Sequence, residues 1–161
     1  MEIAWFISDT HFNHENIIKY CNRPFKNSKQ MDEYIIKQWN SVVNEEDIVY
    51  HLGDFALGLS FDEYKDLFGK LNGQIILIRG NHDRKGKEFL KRIRFIEVYK
   101  KLTIGNYILS HRPLNKKQIP ADFINIHGHI HNNDYKEGFD KNKYINISVE
   151  KINYMPIWVD V

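Results

Sequence analysis

The stretches best equipped for chemistry are Asp9-Thr10-His11, Gly53-Asp54, Gly80-Asn81-His82-Asp83, Ser110-His111 and His127-Gly128-His129-Ile130-His131. Imidazole nitrogens bind metals and move protons near neutral pH, while carboxylate and carboxamide oxygens ligate cations. No thiolate accompanies them, which suits Mn²⁺, Fe, Zn²⁺ or Ni²⁺ better than a structural zinc of the cysteine type. In extended backbone, residues i and i+2 point to the same side. Asp9 with His11, and His129 with His131, can therefore each grip one ion. So many ligands exceed the needs of a single ion. Two ions about 3.5–4 Å apart, bridged by one carboxylate and one hydroxide, would polarise a phosphoryl oxygen and supply a nucleophile for in-line attack. Asp, Asn and His are also ordinary turn residues beside Gly, so it is their recurrence, not any single stretch, that carries the reading. His51 is expected to pack. His127 has the parity of the histidine pair, but Gly128 interrupts the run, so His127 is assigned to the core or to supporting the ligands.

Positioning these residues requires strands that end in them. Glu2 to Ser8, Ile48 to Leu52 and Gln74 to Arg79 are short apolar runs of strand character. Between them, Met31, Tyr34, Ile35, Trp39, Val42 and Val43 recur at helical spacing, as do Phe61, Tyr64, Leu67, Phe68 and Leu71. Asn13 is expected to cap a short helix bearing Ile17 and Ile18. Ser60 with Glu63 forms a capping box, and Asn72-Gly73 should stop the helix that follows it. Strand–helix units in succession, each strand ending in polar residues, predict an α/β sheet with its site at one edge. After a basic helical piece around Glu88 to Arg92, the segments Phe95 to Tyr99, Leu102 to Ile104 and Tyr107 to Ser110 look like a meander in a second sheet. Phe123 to Ile126, Tyr144 to Val149 and Pro156 to Val161 supply further strands.

The chain has 161 residues with 42% apolar and 14% aromatic content, enough for one domain with a real core over 1–161. Its one cysteine, Cys21, cannot form an intrachain disulfide, and no basic segment followed by an apolar stretch opens the chain, so a cytoplasmic setting is expected. No apolar run approaches the ~20 residues of a membrane span, which excludes insertion. The formal charge is only +2, but eight basic residues between Arg84 and Lys101 face two acidic ones, Glu88 and Glu97. None of these signals encodes an oligomeric state.

In order, Asp9-x-His11, Gly53-Asp54, Gly80-Asn81-His82-Asp83, His111 and Gly128-His129-x-His131 resemble the calcineurin-like metallophosphoesterase family. The resemblance runs from residue 3 to beyond residue 149. Ser8-Asp-Thr-His-Phe-x-His-Glu-Asn-Ile-Ile with His51-Leu-Gly-Asp-Phe-Ala is similar to the small phosphoesterases of bacteria and their phages. The resemblance implies a metallo-dependent phosphatase-like α/β fold, a four-layer αββα sandwich with two mixed sheets. It further implies one metal on Asp9, His11, Asp54 and His131 and a second on Asp54, Asn81, His111 and His129, with Asp54 bridging. Manganese is the expected pair of ions, with Fe, Zn, Ni or Mg as alternatives. His82 then acts as general acid or phosphate contact, and Asp83 orients it.

The implied substrate is a phosphate ester. The chain is short for this family and has no room for a large specificity cap; a compact scaffold and an open metal edge favour phosphodiesters or small phosphomonoesters with an accessible phosphate, and phosphodiesters of nucleotide or nucleic-acid type come first. His14, Arg84 and Arg112 are placed to meet phosphate oxygens, and the basic stretch after Asp83 offers a lip for a nucleic-acid backbone. A run of lysines on a short helix is also an ordinary solvated face, and few aromatics interleave it, so base stacking is not strongly signalled. The alternatives are a phosphomonoesterase, including a phosphoprotein phosphatase, and a non-catalytic module whose metals only hold the fold.

Overall fold

The computed structural model describes residues 4–137 and 139–160. The start of the strand expected from Glu2, and the end of the one expected to Val161, lie outside the described residues. In chain order the strands are β1 (Ala4–Ile7), β2 (Ile48–His51), β3 (Gln74–Ile78), β4 (Glu97–Tyr99), β5 (Lys101–Ile104), β6 (Tyr107–Ser110), β7 (Ile124–His127), β8 (Tyr144–Asn146) and β9 (Ile157–Trp158). The helices are α1 (Glu15–Tyr20), α2 (Ser28–Asn40), α3 (Phe61–Phe68) and α4 (Lys87–Arg92).

Two mixed sheets result. The first has five strands in the order β4-β3-β2-β1-β9, all parallel except β9, which runs antiparallel to β1. The second has four, β5-β6-β7-β8. The expected meander is confined to the β5–β6 hairpin at Gly105-Asn106. Glu97–Tyr99 instead returns through α4 to lie parallel to β3 in the first sheet, as a strand–helix–strand crossover does. β7 and β8 extend the second sheet in parallel, because long connections rather than tight turns precede them.

Strand periodicity separates two apolar layers. Ile7, Val49, Ile75 and Leu77 face the helices, meeting Met31, Ile35, Trp39, Tyr64 and Phe68. Ala4, Phe6 and Ile78 face the other way and meet Leu109, Ile126 and Ile147 of the second sheet. On the far side of that second sheet the described residues carry 3-10 turns, Lys116–Gln118 and Lys141–Lys143, and the loops around them rather than an α-helix. Asn125 anchors this cover: its fully buried amide donates to Ile108 O and Ser110 Oγ and its oxygen accepts from Leu114 N.

Local capping explains where the helices start. Ser60 and Glu63 form the expected capping box of α3, and the Asn27 side chain accepts from Gln30 N at the start of α2. α3 ends at Phe68 with Gly69 as its cap, before Asn72-Gly73, and Asn72 instead donates to Val43 O. Helix α1 is capped at His14, not Asn13, whose φ of 60° places it in the left-handed region before the helix.

Parallel order puts the carboxyl ends of β1, β2 and β3 on one edge. The two sheets are joined there by a bridge between Ser8 and Ser148, with Val149 N donating to Ser8 O. The ends of β6 and β7 are thereby brought to the same edge.

Candidate metal centre

Beyond the strand ends the backbone does not stay extended. Asp9, His11, Asn13, Asp54, His129 and His131 have φ between 50° and 69°, in the left-handed region. Asp, Asn and His tolerate that region better than most residues, at about 1–2 kcal/mol each. Tight left-handed turns, not a continuing strand, aim these side chains: Asp9 and His11 fall in one group, whereas His129 and His131 are parted between two, which corrects the shared-face geometry expected for His129-x-His131. Two glycines make room. A Cβ on Gly80 would collide with Asp54 Oδ1, and one on Gly128 with Asp9 Oδ2 and Ser8 Oγ.

Asp9, His11 and His131 offer ligand atoms within 4.8 Å of one another, and Asp54, His111 and His129 form a second such group. Asp54 Oδ2 lies between them, 3.3 Å from His111 Nε2 and 3.6 Å from His11 Nε2. In the first group His131 Nε2 stands 3.7 Å and His11 Nε2 3.9 Å from Asp9 Oδ1. In the second, Asn81 Oδ1 and His129 Nδ1 approach His111 Nε2 at 3.1 and 3.2 Å. Asp9 Oδ1 and His11 Nε2 are buried without a hydrogen-bond partner. Such atoms are ordinarily satisfied, and a cation between them would satisfy both. The donor set thus fits divalent metals at both places.

Further contacts aim the ligands. His111 Nδ1 bonds Leu52 O at 2.7 Å, His131 Nδ1 bonds Glu150 Oε1 at 3.1 Å and His11 Nδ1 faces His14 Nδ1 at 3.1 Å. In all three rings Nε2 is left facing the centre, the arrangement by which a neighbouring group fixes the tautomer of a liganding histidine. Asp9 Oδ2 accepts from Ser148 Oγ and His129 N. Arg23, 4% exposed, donates to the carbonyls of Asp9 and Thr10 and pairs with Glu150 at 2.8 Å. Glu150, Arg23 and Ser148 were not identified from sequence. Arg23 and Glu150 stand 127 positions apart, and no local pattern pairs them.

Burial of Asp9 pushes its carboxyl up, against the nearby His111 and His131. Burial would raise Asp54 too, but the bond and charge of His111 and the His82 N–H hold it below the usual carboxylate range. Burial pushes His11 down to about 2 and His129 down to about 4, leaving both neutral and ready to ligate. For His131 burial acts the same way, but Cys21, Glu150 and Asp9 overcome it and raise the ring to about 10. His111 is raised as well, by Asp54 and Asp9 against burial.

His82 leans over this centre with about a third of its side chain exposed, its Nε2 4.0 Å from Asp54 Oδ2 and its N–H donating to Asp54 Oδ1 at 2.8 Å. Asp83 does not orient it. The buried Asp83 carboxylate instead accepts from the N–H groups of Gly80, Asp54 and Phe55 at 2.7, 2.8 and 3.0 Å, clamping the turn after β3 to the turn after β2. The reason is direction: after a sharp turn, adjacent side chains diverge. His14 is buried, its ring 6.1 Å from that of His82. Arg84 is exposed and stands outside both ligand groups. Arg112 lines two grooves, one beside His129 and the other beside His111. Half of the basic stretch is occupied with its own packing. Lys87 and Lys91 pair with Glu97, while Lys85 and Arg92 lie over Phe89 and Phe61. His51, fully buried, meets Thr10 Oγ1 at 3.0 Å, and His127 meets the Tyr135 hydroxyl at 2.9 Å.

A family model described as calcineurin-like phosphoesterase matches residues 4–160. An uncharacterized protein of Methanocaldococcus jannaschii is 45% identical over all of this chain and 89% of its own length. The gene 66 protein of Mycobacterium phage L5 is 33% identical over 52% of this chain and 41% of its own. Among solved structures, a protein of unknown function from Aquifex aeolicus has a TM-score of 0.76 at 33% identity, covering 98% of this chain and 96% of that one. A Pseudomonas putida nuclease has a TM-score of 0.55 at 21% identity, covering 80% of this chain and 61% of that one, a likeness of fold.

Proposed function

The chain belongs to the calcineurin-like phosphoesterase family, and we propose that within it the protein hydrolyses phosphodiester bonds of nucleotide or nucleic-acid type with two divalent cations. The observation that carries this reading is the pair of buried, unpartnered atoms Asp9 Oδ1 and His11 Nε2 beside an aspartate shared with a second ligand group. Asp9, His11, Asp54 and His131 would hold one cation and Asp54, Asn81, His111 and His129 the other. Bound there, the cations supply Lewis acidity and a water acidified toward neutral pH. Manganese is our first choice for an oxygen and imidazole set, before Fe, Zn, Ni or Mg.

The remaining work falls to the chain's own groups. His82 faces the Asp54 centre from the solvent side and gives a proton to the leaving oxygen or contacts the phosphate. Asp83 sets the position of His82 indirectly, by clamping the two turns together. His14 supports His11, and Arg112 presents a planar fork to phosphate oxygens. A diester is favoured over a monoester because Arg79, Lys100, Lys101 and Arg112 line a groove leading away from Asn81 and His111, offering cations to a flanking phosphate. That the Pseudomonas putida neighbour is a nuclease agrees with this choice. No helix among the described residues is long and apolar enough to cross a membrane. The single buried thiol of Cys21 supports a reducing compartment such as the cytoplasm.

The test is turnover by Mn²⁺-loaded protein, which should be faster on bis-p-nitrophenyl phosphate than on p-nitrophenyl phosphate. Preference for the monoester would replace the reading with a phosphomonoesterase. No turnover of either with any divalent metal would leave a metal-held binding module.

A further inference from the structure

The centre is flanked by flat apolar surfaces that the metal chemistry does not use. On the side of His11 stands Tyr20, the last residue of α1. It is 74% exposed, the highest value among the exposed large apolar side chains. Its ring meets that of His14 edge-on at 6.4 Å, and His14 in turn lies 6.1 Å from His82. An aromatic face is thus held in water two ring contacts from the imidazole over Asp54.

On the side of His129 a groove of about 500 Å³ runs between Arg112 with Pro113 and a wall of Ile130, Tyr135 and Phe139. That wall is fixed from behind. Tyr135 stacks on Phe139 at 5.6 Å and 17°, both pack on the buried Tyr144, and the Tyr135 hydroxyl is held by His127 Nε2. The volume is that of a small-molecule site, and Asn133, Asp134 and Lys136 share its lining with the aromatic wall. Arg112 also lines the neighbouring basic groove with Arg79, Lys100 and Lys101.

Cations for phosphates and aromatic faces for bases therefore alternate around one reacting position, the pairing by which unpaired nucleic acid is held without sequence readout. Resting on the phosphodiesterase reading, we propose that the substrate is a single-stranded nucleic acid whose bases lie on both sides of the metal centre, one on Tyr20 and one in the groove between Arg112 and the Tyr135–Phe139 wall. A duplex hides its base faces and gains nothing from either surface. A phosphoserine peptide without aromatic residues has no flat groups to place there. Tyr20 and Phe139 lie far from the basic stretch in sequence, which is why that stretch alone gave no stacking signal.

The experiment compares kcat/KM of the Mn²⁺-loaded protein on oligothymidylate and oligouridylate decamers, the matching duplexes, a phosphoserine peptide and bis-p-nitrophenyl phosphate. It adds fluorescence anisotropy of a labelled decamer as a readout independent of turnover. Either single strand should be cut at least tenfold faster than its duplex, and the two decamers tell DNA from RNA. Tyr20→Ala should lower the decamer-to-bis-p-nitrophenyl phosphate ratio about 5- to 150-fold, the factor that corresponds to about 1–3 kcal/mol per stacked base. Tyr20→Phe should restore it, since the ring and not the hydroxyl does the stacking. Phe139→Ala should act in the same direction from the other flank, with circular dichroism confirming the fold. The proposal is overturned if both alanine variants keep the ratio and the anisotropy within twofold of the parent. It is equally overturned if the duplex is cut as fast as the strand, or if the peptide is the better substrate. Should no ester be hydrolysed at all, the phosphodiesterase reading fails while the anisotropy still decides whether the aromatic faces bind bases.

Discussion

The ligand groups share Asp54 but are built differently. Asp9 and His11 are almost wholly buried, and the half they form with His131 is held by Arg23, Glu150 and Ser148. The half made by Asn81, His111 and His129 is more open: His111 is buried, but Asn81 is exposed, His129 is half-buried, and a groove runs beside each histidine. On the reading proposed above, the closed half with its orphaned ligand atoms would retain a cation, and the open half, bordered by Arg112 and a partly exposed His82, would meet the substrate. The contrast teaches that a shared carboxylate can join a binding problem to a catalytic one.

Removing the shared group should hit both halves. Asp54→Ala is expected to lower kcat on the order of 10³-fold or more and to deplete both cations by elemental analysis; full retention of one cation would show that the halves are independent. His82→Ala should lower kcat about 10²- to 10⁴-fold with the metal content unchanged, and metal loss would move His82 into the ligand set. Glu150→Gln tests the closed half alone. It leaves His131 in place but alters its support, and should weaken one cation's affinity about 10- to 100-fold, read by competition with a chelating dye; equal weakening of both cations would erase the distinction drawn above.

Protons sharpen the same comparison. With His131 raised to about 10, a cation entering the closed half at pH 7 must displace a proton. Affinity there should rise about tenfold per pH unit for each proton released, levelling off near pH 10, and falling pH should release metal. The sign is fixed: the pKa is above the ordinary histidine value, so the proton is held below it and lost above it. Calorimetry in buffers of different ionisation enthalpy counts that proton. The smallest effect is expected from Asp83→Asn, which weakens the clamp between the two turns and should cost about 1–3 kcal/mol of stability in denaturant melts.

Much of this was readable in the chain because ligand chemistry is carried by residue type. Asp9, His11, Asp54, Asn81, His111, His129 and His131 announce themselves at strand ends, and the helix starts follow from local signals such as Ser60 with Glu63. The reading failed where direction mattered. Asp83 sits next to His82 in sequence but turns to three amides, since neighbouring side chains after a sharp turn need not face one another. The segment Phe95 to Tyr99 carries no mark of which sheet it joins, so the pairing of Glu97–Tyr99 with β3 is decided only by the fold.

What the sequence by itself determined was the donor inventory, the alternation of strands and helices, and the edge at which ligands must collect, all consequences of residue chemistry and short-range periodicity. Only the tertiary structure decided the left-handed turns that aim the ligands and the Arg23–Glu150–His131 support. It alone brought Tyr20, Tyr135 and Phe139 to the flanks of one centre. Some of these rest on contacts such as Arg23–Glu150 and Asp9–His129, more than a hundred positions apart, and all rest on the direction in which side chains leave their turns, which local periodicity does not encode.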